Sequence, residues 1–244
     1  MATSAKLEFA VQMTCQACVD AVTKALEEKD GVKSVDVSLD RGIVIVETTM
    51  PSDAVKSTIE STGRLAVLLG MGGSNQSQWG AAVAAMNVGS ERSKGVVRMV
   101  QTSDETCVFE GTIDGLPPGR HALCVHEMGD ISKGCSSCGE VLGAGLSEKA
   151  KGMLSELDVG KDGRAMFRLD NTDLKVWDLI GRSVIVHQGT DPNASNRLVC
   201  GIIARSSGLF QNSKRLCACD GVSIWEERDK PLAGDGRTNY PFRN

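Results

Sequence analysis

The sequence predicts a multidomain chain: an α+β unit of βαββαβ order, then an all-β antiparallel sandwich or barrel, then a short irregular tail. Three observations carry this reading. Strand and helix patterns alternate up to about residue 70 and then give way to a series of short strand-like runs. Apolar positions become too sparse for a core after about residue 210. Six of the nine cysteines form three close pairs, one in each part: Cys15 and Cys18, Cys135 and Cys138, Cys217 and Cys219.

In the first part, KLEFAVQM alternates apolar and polar residues and predicts a strand. From Cys18, the spacing of Val19, Val22 and Leu26 predicts a helix, stopped by Gly31. KSVDVSL and GIVIVETT predict two strands around the turn at Asp40-Arg41-Gly42. Ser52 or Asp53 is the expected cap of a second helix carrying Val55 and Ile59, which Gly63 ends. LAVLL supplies the last strand, completing a ferredoxin-like order over residues 1–70. MGGSNQSQ, residues 71–78, is small and polar and predicts a linker.

Residues 79–210 hold GVVRMVQ, CVFEGTIDGL, HALCVHEM, GRAMFRLD, SVIVH and RLVCGIIAR. Turn signals at Asp114-Gly115, Pro117-Pro118-Gly119 and Asp162-Gly163 separate some of them, as in an antiparallel sandwich or barrel. Residues 211–244 are the tail, where Ile224 and Trp225 are candidates to dock on the barrel or on a partner.

Composition narrows the function. The chain has 244 residues, 41% hydrophobic and 24% charged, with a net charge of −4. It shows no basic stripe with interleaved aromatics, which argues against a nucleic-acid partner. No apolar run approaches the roughly 18 residues of a membrane span, and the N-terminus lacks a signal-peptide core. The expectation is a soluble, cytoplasmic protein. In that compartment paired cysteines point to metal or redox chemistry.

Cys15 and Cys18 lie between the first strand and the first helix, with Cys18 in the first helical turn, where the dipole favours a thiolate. Two facing thiolates without a third ligand suit a soft ion such as Cu(I). Arg64, at the return of the second helix, is placed to offset their charge. A thioredoxin-like redox pair also opens a helix, but that motif's usual Trp is absent. A structural zinc site needs four ligands, and this domain offers two. Inert core cysteines are the remaining reading. In the tail, Cys217 and Cys219 would point to one side of an extended chain, about 6.6 Å apart at Cα. They could clasp Cu(I), form a strained disulfide, or be chance thiols.

Several strings resemble known families. Met-x-Cys-x-x-Cys at this place in a βαββαβ unit resembles heavy-metal-associated domains. GTIDGLPPGRHALCVHEMGD, IGRSVIVH and NRLVCGIIAR resemble the Greek-key barrel of copper/zinc superoxide dismutase over about 130 residues. That resemblance implies a disulfide between Cys135 and Cys200, with two free buried thiols as the alternative, and leaves Cys138 without a partner. It also matches His126 and His187 to copper ligands, while Cys124 stands where a further ligand histidine is expected. His121 matches a non-ligand position, and Arg197 the arginine that guides superoxide. Residues 139–163 contain no histidine, and the chain has three in all, too few for paired copper and zinc sites. The expectation is no dismutase activity and no zinc. Cys124, His126 and His187 could form a residual metal site or simply fill a decayed core. Leu146, Met153, Leu154 and Leu157 have helix-compatible spacing and are expected to pack that loop through apolar contacts.

The three-part layout, with IIARSSGLFQN and CACDGVSIWEER, resembles the copper chaperones for superoxide dismutase from about Lys6 to Gly236. This implies a metallochaperone, not an enzyme, with Cys15, Cys18, Cys217 and Cys219 as Cu(I) ligands. Its partners would be a copper donor protein and a dismutase subunit held as a heterodimer through the barrel, and a homodimer is a further option. A pool in the mitochondrial intermembrane space is also implied. Two other readings stay open: a copper buffer or thiol oxidoreductase without a dedicated target, and an active dismutase with a fused copper feeder.

Overall fold

The computed structural model describes residues 2–73, 80–146, 150–193, 195–212 and 223–228. The first unit contains β1 (Ala5–Val11), α1 (Gln16–Glu27), β2 (Val32–Ser38), β3 (Ile43–Thr48), α2 (Ser52–Ser61) and β4 (Ala66–Gly73). Its antiparallel strands lie in the order β2-β3-β1-β4, the ferredoxin-like arrangement. Leu7, Phe9, Val11, Val44 and Val46 from one sheet face meet Val22, Leu26, Val55 and Ile59 from the helices, all essentially inaccessible. The two periodicities, near two in the strands and 3.6 in the helices, converge on this one core.

The second unit contains β5 (Ala81–Met86), β6 (Val88–Gly89), β7 (Lys94–Gln101), β8 (Cys107–Asp114), β9 (Gly119–His126), β10 (Ser132–Cys135), β11 (Met153–Val159), β12 (Ala165–Asn171), a short α3 (Val176–Leu179), β13 (Ser183–His187) and β14 (Arg197–Ser206). The main strands run β11-β9-β13-β14-β5-β7-β8-β12, all antiparallel, with β6 on β14. The jump from β9 to β13 is the Greek-key step. Met86, Val97, Met99, Phe109, Ile113, Leu123, Val184 and Val186 fill the interior.

Four features differ from the sequence reading. β4 runs on through Met71–Gly73, residues expected in the linker. The reason is a close backbone approach. A Cβ on Gly73 would stand 2.6 Å from the Thr102 carbonyl, and one on Gly70 would collide with the Gly208 carbonyl. These glycines let the strand lie against the barrel. The AAVAAM segment is a strand, β5, that its small residues concealed. Met153–Leu157 is a strand rather than a helix, because β11 pairs with β9, and Leu146 is solvent-exposed. Last, neither Ser52 nor Asp53 caps α2 from its own side chain.

That cap comes from the barrel. Both carboxylate oxygens of Glu110, on β8, accept the Ser52 N–H at 3.3 Å. Arg168 on β12 pairs with Glu110 at 2.9 Å and donates to the Thr3 carbonyl at 3.1 Å. Thr112 Oγ1 donates to Asp53 at 2.5 Å. Val100 and Val108 of the barrel join the first unit's core cluster. The two units therefore share a junction that is apolar at its centre and ionic beside it.

Candidate metal-binding site

β1 ends at Val11, and the loop through Thr14 delivers Cys15 as the extended residue before α1. The N–H groups of Cys18 and Val19 both bond the Cys15 carbonyl, at 3.0 and 3.4 Å, which starts the helix. Cys15 and Cys18 bring their sulfurs to 3.6 Å of each other, Cys15 exposed and Cys18 largely covered. The Cys18 thiol is pushed down from 9.0 to about 6. The backbone of Thr14 is the largest cause, followed by Arg64, the Thr14 hydroxyl and Cys15. At neutral pH Cys18 is thus a thiolate, with an exposed second thiol beside it and a guanidinium near enough to balance the charge. Two metal–sulfur bonds of about 2.3 Å in line would set the sulfurs ~4.6 Å apart. A side-chain swing of roughly 1 Å at Cys15 provides that, so the pair fits a two-coordinate soft cation.

The other cysteines differ in kind. Cys107 and Cys124 are fully buried, and burial pushes each thiol up to about 12, which keeps them protonated. Cys135 and Cys200 form a disulfide with Cα atoms 5.7 Å apart. Cys138 packs in the same cluster, its thiol on the Asp130 carbonyl at 3.2 Å. Cys217 and Cys219 lie outside the described residues.

In the barrel, His126 and His187 are buried with their Nε2 atoms 2.9 Å apart. His126 Nδ1 faces the Gly139 carbonyl at 3.0 Å, so it carries the proton. His126 Nε2 is then the acceptor and His187 Nε2–H the donor. Burial lowers His126 from 6.5 to about 4, so the ring is neutral. Cys124 does not join this pair: its thiol bonds the Met153 sulfur at 3.5 Å among Ala122, Val141 and Ala150. Among the described residues no group of three or more His, Cys, Asp or Glu side chains gathers as a metal site. His121 is structural, bound to the Pro117 carbonyl at 2.7 Å. Arg197 holds the disulfide loop, donating to the carbonyls of Cys135 at 2.7 Å and Gly139 at 2.8 Å.

That loop borders an apolar surface. Met128, Ile131, Ile180 and Ile202 are all at least a third exposed. Gly129, next to Met128, brings that segment against Gly181 and Ile202: a Cβ there would meet the Gly181 carbonyl at 2.5 Å and Ile202 at 3.0 Å. Ser183 Oγ fixes the Met128 carbonyl at 2.7 Å.

Ile224 and Trp225 were expected on the barrel or on a partner. They sit instead on the ferredoxin-like sheet, in the helix α4 (Ile224–Arg228), against Ala10, Leu69, Ile43 and Val67. The missed signal was Ser223-x-x-Glu226, a capping box: Ser223 N–H donates to Glu226 at 2.8 Å, and Glu226 N–H to Ser223 Oγ at 3.3 Å.

A loop that pairs two thiols on a ferredoxin-like domain, joined to a Greek-key barrel, defines a soft-metal-binding protein of two units. Comparison with known proteins agrees. Residues 8–64 match the heavy-metal-associated domain and residues 93–203 match copper/zinc superoxide dismutase. The copper chaperone for superoxide dismutase of Rattus norvegicus is 50% identical over 96% of this chain and 93% of its own. The human protein of the same name is 49% identical, over 95% of this chain and 92% of its own. The superoxide dismutase 1 copper chaperone of Saccharomyces cerevisiae is 30% identical, over 93% and 95%. The chain belongs to the family of copper chaperones for superoxide dismutase.

Proposed function

We propose that this protein binds Cu(I) through Cys15 and Cys18, docks on a copper/zinc superoxide dismutase subunit through its barrel, and delivers the copper through Cys217 and Cys219. The observation that carries the reading is the pairing, in one chain, of a two-thiol site whose sulfurs lie 3.6 Å apart with a dismutase-like barrel in which Cys124 turns away from the His126–His187 pair to Met153. The chemistry is ligand exchange rather than turnover. A thiolate pair takes Cu(I) from a donor of the same softness and passes it on through shared coordination, so the ion is never free. The apolar surface of Met128, Ile131, Ile180 and Ile202 is the docking face, where it would seat a subunit in the manner of a second copy of the enzyme. Once the copper has left, dioxygen oxidises the two tail thiols to a disulfide and is itself reduced to hydrogen peroxide; thiol–disulfide exchange then moves that bond to the target's reduced cysteine pair and returns the tail as two thiols. The barrel carries no zinc in this reading, and the protein acts in the cytoplasm.

The test mixes copper-loaded protein with reduced, metal-free dismutase under a strong Cu(I) chelator in the presence of oxygen. Dismutase activity and disulfide formation in the target are both followed. Wild type should activate the target, and Cys217→Ser/Cys219→Ser should not. Failure of the wild type under these conditions would overturn the proposal.

A further inference from the structure

The apolar surface of the barrel carries one methionine among three isoleucines. Two methionines are exposed among the described residues, Met128 at 52% and Met166 at 51%, while Met71, Met86 and Met99 are buried. Of the two, Met128 belongs to the surface with Ile131, Ile180 and Ile202. Met166 stands on β12 opposite Thr112, which bonds Asp53 of the first unit. The backbone at Met128 is fixed from several sides. Its N–H donates to the Cys138 carbonyl at 3.0 Å, its carbonyl accepts from Ser183 Oγ, and the Glu127 N–H beside it donates to the Glu140 carbonyl at 3.0 Å. The side chain lies by the turn after Cys138, where a Cβ on Gly139 would stand 3.4 Å from Met128 Cγ. Met128 is thus held at the surface with half of the residue open to solvent. Polar donors next to it are already committed. The Gly181 N–H goes to the Ile203 carbonyl at 2.9 Å, and Arg182 places Nε on the Asp178 carbonyl at 2.7 Å and Nη1 on the Glu127 carbonyl at 2.9 Å.

We propose that Met128 is an oxidative modification site, at which hydrogen peroxide forms a sulfoxide that weakens docking through this face. This rests on the docking face proposed above. An exposed thioether is a soft nucleophile open to peroxide, whereas an isoleucine side chain offers peroxide nothing to attack. The step balances as written. The sulfur takes one peroxide oxygen as the O–O bond breaks, and the second oxygen leaves with both protons as water. The thioether loses two electrons and the peroxide gains them. The oxidant is of the class that the thiol oxidation proposed above releases, and an active dismutase also produces it from superoxide, so delivery and its product act on one surface. The change is one of polarity rather than shape. A flexible apolar side chain becomes a polar acceptor, which in the free protein is hydrated. On docking it is stripped of water among three isoleucines whose nearby backbone donors are spent, and an unpartnered acceptor of that kind disfavours burial. Docking conversely covers the sulfur and protects it. Methionine sulfoxide is reducible by enzymes specific for each epimer, so the modification is a reversible one.

The test treats the full chain with hydrogen peroxide, locates the added oxygen by peptide mass spectrometry, and titrates the protein against metal-free dismutase in analytical ultracentrifugation. The readout is the ratio of Kd after treatment to Kd before it, so the starting affinity of a variant does not enter. Wild type should gain one oxygen at Met128 and one at Met166, and its Kd should rise about tenfold or more. Met166→Leu should lose affinity as wild type does. Met128→Leu should show a ratio near one under the same treatment, which separates Met128 from every cysteine and from general damage. Adding both epimer-specific methionine sulfoxide reductases should return the wild-type Kd to its starting value. The inference is overturned if Met128 carries the oxygen and Kd does not change, if Met128 stays unmodified while Met166 is oxidised, or if Met128→Leu loses affinity as much as wild type. Failure of the untreated wild type to associate at all would overturn the docking reading itself and this inference with it, an outcome distinct from the other three.

Discussion

Replacing Arg168 with methionine tests how the two units are joined. The guanidinium and the Glu110 carboxylate are 8% and 2% exposed, so neither is solvated by bulk water. Removing the arginine leaves Glu110 with the Ser52 N–H, shared between its two oxygens at 3.3 Å, and no counter-charge that the structure records on it. Breaking one partner of such a buried pair costs about 3–5 kcal/mol. Replacing both partners by groups of similar volume is often close to neutral. Arg168→Met should therefore cost about 3 kcal/mol, while Arg168→Met/Glu110→Gln should cost less than either charge-stranding change would suggest. At about 2–4 °C per kcal/mol for a chain of this size, the single variant should melt roughly 10 °C lower. Calorimetry checks this. It should also show the ferredoxin-like unit melting as a separate transition, because the cap of α2 and the Thr3 contact both depend on this pair. A single-variant cost below about 1 kcal/mol, together with strict additivity in the double variant, would refute the argument that the charges are desolvated.

Four further outcomes follow from the same geometry. Thiolate absorbance of the metal-free protein should show one cysteine titrating near pH 6, and Arg64→Ala should move that titration upward, since Arg64 is among the causes that lower Cys18. His126 is neutral in the fold with its pKa near 4 and titrates at 6.5 when unfolded, so the unfolded chain binds the extra proton between those values. Stability is thus fully present above pH 6.5 and falls as pH drops toward 4, by about 3 kcal/mol, and His126→Leu should flatten that slope in urea titrations. Cys200→Ser should lower unfolding free energy by about 4 kcal/mol, the chain-entropy value for a loop of this length, with no effect on Cu(I) retained by Cys15 and Cys18. Ile202→Glu should abolish heterodimer formation with metal-free dismutase in analytical ultracentrifugation while leaving Cu(I) loading of the N-terminal unit unchanged.

What the sequence made legible, and what it hid, divides along a physical line. The helix through Val22 and Leu26 and the strands through Phe9 and Val44 announce themselves, because each element's own periodicity decides which side chains it buries. The two thiols at the start of α1 are legible for the same reason, since a local spacing places them on one turn. Glu110 is the opposite case. Within CVFEGTID it reads as one polar residue in a buried strand, and nothing local says that it serves a helix 58 residues earlier in the chain. Gly70 and Gly73 resemble linker glycines until the barrel backbone is seen lying against them. The same holds for Met153–Leu157, whose spacing fits a helix but whose partner is β9. The Cys124 thiol, two residues from His126, turns to a methionine sulfur rather than to His126 and His187. In each case the deciding contact comes from a distant segment. The helix α4 is of this kind too: its seat on the ferredoxin-like unit includes Glu60 meeting Arg228, 168 residues apart.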